Sequence, residues 1–197
     1  MKKAAIVLAT LSGFTMSAAF ADESAGISQQ SHMKTVGRTT QPIGHYVYCQ
    51  QYARDCRIKS NVTKAPRLTR KRWNELVEIN AFSNSTIAPY TDLEIYNQEE
   101  VWAYPSSHGD CEDYVLMKRH LLMERGWPPS SLLITVVLQE NGEGHAVLTV
   151  RTDRADYILD NLSSKIMPWH ETPYRYLKRQ SERHSGHWQD IADNRTS

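Results

Sequence analysis

Apolar positions along the chain follow two different periods, and the change between them falls near residue 130. In LTRKRWNELVEIN, Trp73, Leu76, Val77 and Asn80 stand at i, i+3, i+4 and i+7, which is one face of a helix, with Thr69 placed to cap it. A second helical stripe runs through Tyr114, Met117 and Leu121, with Val115 and Leu122 beside it. Gly126 supplies its stop and Pro128-Pro129 prevents continuation, so Cys111 falls in the first turn of a helix of about four turns. Beyond it, SLLITVVLQ, HAVLTVR and DYILDN are short runs rich in Val, Ile, Leu and Thr, separated by the turn sequences NGEG and TDRAD. Helices followed by an antiparallel meander define an α+β chain. No period holds from Asn84 to Pro105, which predicts a long irregular connection carrying Tyr96, Trp102 and Tyr104. The tail from Pro168 to Ser197 has aromatic anchors at Trp169, Tyr174, Tyr176 and Trp188 and is expected to wrap back on the domain.

Ahead of this pattern, MKKAAIVLATLSGFTMSAAFA combines two lysines, an apolar run too short and interrupted for a good membrane span, and Ala19-Phe20-Ala21, the small-x-small pattern of a signal-peptidase site. Residues 1–21 are therefore expected to be a signal peptide, and the mature chain exported. Residues 22–41, DESAGISQQSHMKTVGRTTQ, are polar and read as a flexible leader, with compact structure from about Pro42 to the end, 42–197. Losing Lys2 and Lys3 takes Lys+Arg from 23 to 21 against 22 Asp+Glu, a net charge of −1. A nearly neutral chain without a basic stripe is a poor nucleic-acid binder, and no nucleic-acid partner is expected.

Three cysteines in an exported chain leave at least one unpaired within the chain. Cys49 and Cys56 are close in sequence. On one unbroken helix they would be about 10 Å apart along the axis, whereas a disulfide needs Cα atoms roughly 4.4–6.8 Å apart. Pairing them requires the helix to end in between, near Arg54 or Asp55. The alternatives are two buried free thiols, or a zinc site that also uses His45 but shows no fourth ligand.

Cys111 carries the candidate chemistry. A helix start lowers a thiol pKa through its unpaired N–H groups and its dipole. His145 and Asp160 lie on adjacent predicted strands whose turn is centred near Thr152 to Arg154, so antiparallel pairing brings them within hydrogen-bonding reach. Nucleophile, base and base-orienting acid form the triad of thiol acyl transfer, with the Cys111 backbone N–H as one oxyanion donor. His108, before the helix, is a candidate for substrate contact only. Asp110, Glu112 and Asp113 pose a problem, because carboxylates raise the pKa of a neighbouring thiol. A bound cation would cancel their charge; ordinary helix-dipole complementation is the alternative, with Asp113 capping the helix.

The motifs PIGHYVYC, VWAYP, GDCEDY, GHAVLTVRTD, ILDN, PW and KRQS, spread from about Pro42 to Trp188, resemble the bacterial transglutaminase-like cysteine proteinases, a papain-like group that includes a periplasmic adhesin-releasing protease. The resemblance implies a papain-like or transglutaminase-like α+β core, with the helix-start Cys111 packed on an antiparallel sheet carrying His145 and Asp160. It implies cleavage of a peptide bond through a thioester. In the adhesin-releasing relatives calcium binds through the acids flanking the nucleophile, which map onto Asp110 and Glu112. It further implies a protein substrate such as a cell-surface adhesin, an inhibitory membrane receptor, a periplasmic location and no organic cofactor. The competing readings are a cell-wall peptidase or transamidase, against which Asp160 in third place argues, and a non-catalytic binding module of the same fold.

Overall fold

A computed structural model describes residues 31–61 and 63–195. The proposed signal peptide and the first part of the leader lie outside the described residues. Three helices and a sheet build the domain. They are α1 (Ile43–Gln51), α2 (Arg70–Thr86) and α4 (Cys111–Glu124), with a short α3 (Asp92–Tyr96) between the last two. No helix among the described residues is long and apolar enough to cross a membrane.

The sheet contains β1 (Thr35–Thr39), β4 (Leu132–Leu138), β5 (Gly144–Arg151), β6 (Asp156–Leu159), β7 (Met167–Pro168), β8 (Arg175–Ser181) and β9 (His184–Ile191). A separate two-residue parallel pair is formed by β2 (Ala88–Pro89) and β3 (His108–Gly109). In space the order of the large sheet is β1-β9-β8-β4-β5-β6-β7, antiparallel throughout. The predicted meander is β4-β5-β6. The predicted tail does more than wrap, because β8 and β9 extend the same sheet on the other side of β4.

Alternation along the strands makes two cores. Leu132, Ile134, Ala146, Leu148, Val150 and Leu159 share one cluster with Leu76 and Ile79 of α2 and Val115, Leu116 and Leu122 of α4. Val137, Val147, Ile158, Trp169, Tyr176 and Ile191 make the other. Because β5 is covered on both faces, it is buried from His145 to Val150, and its sequence reads as a continuous apolar run. Burying one such aliphatic side chain stabilises the fold by roughly 1.5–3 kcal/mol.

Local chemistry fixes the helices. The Thr69 side chain accepts the Arg72 N–H at 3.2 Å, capping α2 as predicted. Of the predicted stripe, Leu76 and Asn80 are buried, whereas Val77 points to solvent. The Trp127 indole, just past Gly126 at the end of α4, donates to Glu75 at 2.9 Å and ties that end to α2. Gly126 has φ +82°, the left-handed stop that glycine takes without strain. In α1, Gly44 makes room for an indole: a Cβ there would lie 2.4 Å from Cδ1 of Trp102.

Cys49 and Cys56 are disulfide-bonded, with Cα atoms 5.6 Å apart. As the spacing demands, α1 ends at Gln51 and Cys56 returns on a 3-10 turn, Asp55–Arg57. Two expectations need correction. Ordered structure begins before Pro42, since Thr35–Thr39 pairs with β9 and Met33 is buried. The stretch from Asn84 to Pro105 is not wholly irregular, because Thr91 and Glu94 form a capping box on α3 and β2 docks on β3.

Candidate active site

Three elements supply the candidate site. The first is α4 itself, which starts at Cys111 after Asp110 and leaves its first N–H groups unpaired within the helix. The second is β5, whose Ala146 N–H approaches the thiol. His145, the residue before it, is buried at 5% exposure. The third is the chain leaving β6, where Asp160 is buried at 3% exposure. His145 Nε2 and Asp160 Oδ1 meet at 2.9 Å on a diagonal across the strand pair, since the register Leu148↔Leu159 carries Asp160 toward Val147, two residues along from His145.

Asp160 is held from several sides. Its Oδ1 also accepts the Leu162 N–H at 3.0 Å, and its Oδ2 accepts the Tyr174 hydroxyl. Burial pushes this carboxyl up, but the hydrogen bonds from His145 and Tyr174 outweigh it and hold the pKa below the ordinary carboxylate value. The Tyr174 ring also lies tilted against the His145 ring, centroids 5.5 Å apart. Behind them Asn84 Nδ2 donates to the Asp160 backbone carbonyl at 2.8 Å.

The thiol neighbours the backbone of Ala146, the residue after His145. Cys111 Sγ donates to Glu112 Oε2 at 3.1 Å, and no hydrogen bond joins it to His145. Burial and the Glu112 carboxylate hold its pKa well above the ordinary thiol value. Catalytic hydrogen bonds are often loose without substrate, so proximity to β5 is the relevant observation.

The acids separate into two groups. Asp110, Asp113 and Asp92 of α3 bring carboxylate oxygens within 4.8 Å of one another. Each has one buried oxygen without a hydrogen-bond partner: Asp92 Oδ1, Asp110 Oδ1 and Asp113 Oδ2. Burial and mutual repulsion raise Asp92 to about 6 and Asp113 to about 8, and burial raises Asp110. Glu112, raised to about 9 by burial and by Asp110, points to the thiol and neighbours Asp110. Asp113 is therefore not the simple cap expected of it. One of its oxygens accepts the Ala103 N–H at 2.8 Å and the other faces the cluster. Gly109 permits this, because a Cβ there would lie 2.7 Å from Asp113 Oδ2. Three clustered carboxylates, each with an oxygen that lacks a hydrogen-bond partner, offer the hard oxygen ligands that calcium takes.

His108 is exposed, hydrogen-bonds Ser107 and stacks edge-on with Tyr90. Asp92 and Tyr174 were not singled out from sequence. Asp92 sits in a stretch without period, and Tyr174 reads there as a packing anchor.

A family profile described as bacterial transglutaminase-like cysteine proteinase matches residues 35–196. Calcium-bound LapG of Legionella pneumophila is similar in structure, with a TM-score of 0.52 and 25% sequence identity over 64% of this chain and 71% of that one. The EGTA-treated form of the same protein shares the fold, at a TM-score of 0.51 and 24% identity over 61% of this chain and 67% of that one. A comparison with curated proteins finds no match.

Proposed function

The chain belongs to the bacterial transglutaminase-like cysteine proteinases, and we propose that within that family it is an exported, periplasmic cysteine peptidase acting on a protein substrate through Cys111, His145 and Asp160. The observation that carries the reading is the buried His145–Asp160 hydrogen bond one residue from the N–H that approaches the Cys111 thiol.

In this mechanism His145 takes the thiol proton and the Cys111 sulfur attacks the peptide carbonyl. The oxyanion forms next to the helix start, where the Cys111 N–H can donate to it. His145 then protonates the leaving amine, and water hydrolyses the resulting thioester. Asp160 keeps the imidazole oriented and stabilises its charged form. The hydrogen bond between the thiol and Glu112 must be given up first. Calcium held by Asp110 with Asp92 and Asp113, and with Glu112 when it turns from the thiol, would supply the positive charge that cancels these carboxylates. The description of a solved relative as calcium-bound supports that assignment. Family resemblance further supports a cell-surface adhesin as substrate and an inhibitory membrane receptor as regulator.

The deciding experiment compares new N-termini among exported surface proteins after exposure, with calcium, to the wild-type chain and to Cys111→Ala. A set of termini made by the wild type alone is expected. Identical sets would overturn the peptidase reading.

A further inference from the structure

Asp160 also bounds a cavity of about 240 Å³, walled by Ile158, Leu162, Met167, Pro173 and Tyr174. That is smaller than the roughly 300–1,000 Å³ of sites that enclose whole small molecules, and suits a single side chain. The hydroxyls along its wall are committed elsewhere: Tyr174 donates to Asp160, Thr172 donates to the Trp169 carbonyl, and Ser163 donates to the Lys165 carbonyl. An apolar occupant would therefore strand no polar partner. Leu162 is 59% exposed although large and apolar, as befits a wall that a ligand covers. Lys165, exposed on the same wall, disfavours a cationic side chain.

Chemistry gives the cavity a direction. An imidazole that has taken the thiol proton returns it to the leaving amine, so the segment C-terminal to the cleaved bond lies on the imidazole side. The cavity shares Asp160 and Tyr174 with the surroundings of that imidazole: Asp160 hydrogen-bonds His145, and the Tyr174 ring lies against it. We propose that it is the subsite for an aliphatic or aromatic side chain on the leaving-group side of the substrate, with Leu162 and Met167 determining specificity. This rests on the acyl-transfer reading above.

The test acylates the calcium-supplemented enzyme with a p-nitrophenyl ester of an N-acylated amino acid and lets water compete with amino-acid amides. In the competing step the amine nitrogen bonds to the thioester carbonyl, the C–S bond breaks, and the amine proton passes through His145 to the thiolate. Leucinamide is expected to capture the acyl group roughly tenfold or more better than glycinamide or lysinamide, the discrimination a few methylenes allow. Leu162→Asp should abolish that preference. Because the readout is a ratio of amide to acid, it does not depend on how much of a variant folds. Equal capture of all amides by the wild type overturns the subsite while leaving acyl transfer standing. So does a preference that survives both Leu162→Asp and Met167→Asp. Absence of any ester turnover removes both.

Discussion

The Tyr174 hydroxyl donates to the carboxylate oxygen of Asp160 that the His145 imidazole leaves free. Removing this bond in Tyr174→Phe takes away one of the contacts that keep the Asp160 pKa low. Asp160 would then be protonated at higher pH, so the acid limb of the kcat/KM profile should move upward. A hydrogen bond to a charged group is worth about 1.5–3 kcal/mol, so the rate should fall about tenfold or more. Asp160→Asn should cost much more, on the order of 10⁴-fold, by analogy with other base-orienting acids. An unshifted acid limb in Tyr174→Phe would show that the tyrosine only packs.

Thiol reactivity tests the role of Glu112. With Cys49 and Cys56 joined, Cys111 is the free thiol. Its contact with the Glu112 carboxylate opposes ionisation. In the presence of a chelator, Glu112→Gln should therefore react with iodoacetamide severalfold faster than wild type, and calcium should accelerate the wild type. Equal rates in all three would show that the carboxylate does not restrain the thiol.

Calcium should also stabilise the fold, by an amount that depends on pH. Asp92 and Asp113 have folded pKa values of about 6 and about 8, above the ordinary 3.8. Groups raised in this way contribute stability below their unfolded pKa and lose it as pH rises through the folded value. The metal-free protein is thus penalised from about pH 4 to pH 8, by at most about 1.4 kcal/mol per pH unit and group. Calcium competes with the same protons, so its effect on Tm should be larger at about pH 8 than at about pH 5.5. Asp113→Asn should shrink the difference. A pH-independent increment would place the ion elsewhere.

Lys118, fully buried on α4, has no hydrogen-bond partner for its ammonium. Burial lowers its pKa to about 7, against a smaller opposing pull from Asp160. The unfolded chain keeps this proton to about pH 10, so the group's contribution to stability rises with pH from about 7 upward, by at most about 1.4 kcal/mol per unit. Lys118→Met should flatten that slope and raise the denaturant midpoint at neutral pH. Urea titrations at two pH values measure both effects, and an unchanged slope would contradict the assignment.

What the sequence made legible was local. The α2 period and its Thr69 cap, the stop at Gly126 and the β4-β5-β6 meander depend on neighbours within a few residues, and they stand where expected. The adjacency of the His145 and Asp160 strands followed from one tight turn, although the register sets the two residues on a diagonal and not directly opposite. Strand β1 was illegible because TVGRT offers one large apolar residue, Val36, itself exposed, and is held by backbone pairing to the distant β9. Asp92 could not be linked to Asp110 because the two-residue β2–β3 pair that juxtaposes their segments has no sequence period at all. Tyr174 looked like any aromatic anchor, since composition does not say where a hydroxyl points.

The β4–β5 ladder runs in unbroken register from Leu132↔Val150 to Leu138↔Gly144, and His145 belongs to it. Amide hydrogens in such a central ladder are among the last to exchange, whereas the first turn of α4 adjoins carboxylates whose repulsion varies with pH and ions. The histidine and the cysteine of the candidate site are therefore expected to differ in exchange protection. If calcium sets the charge beside the thiol, its addition should change exchange protection around residues 108–113 and leave the His145 strand unchanged.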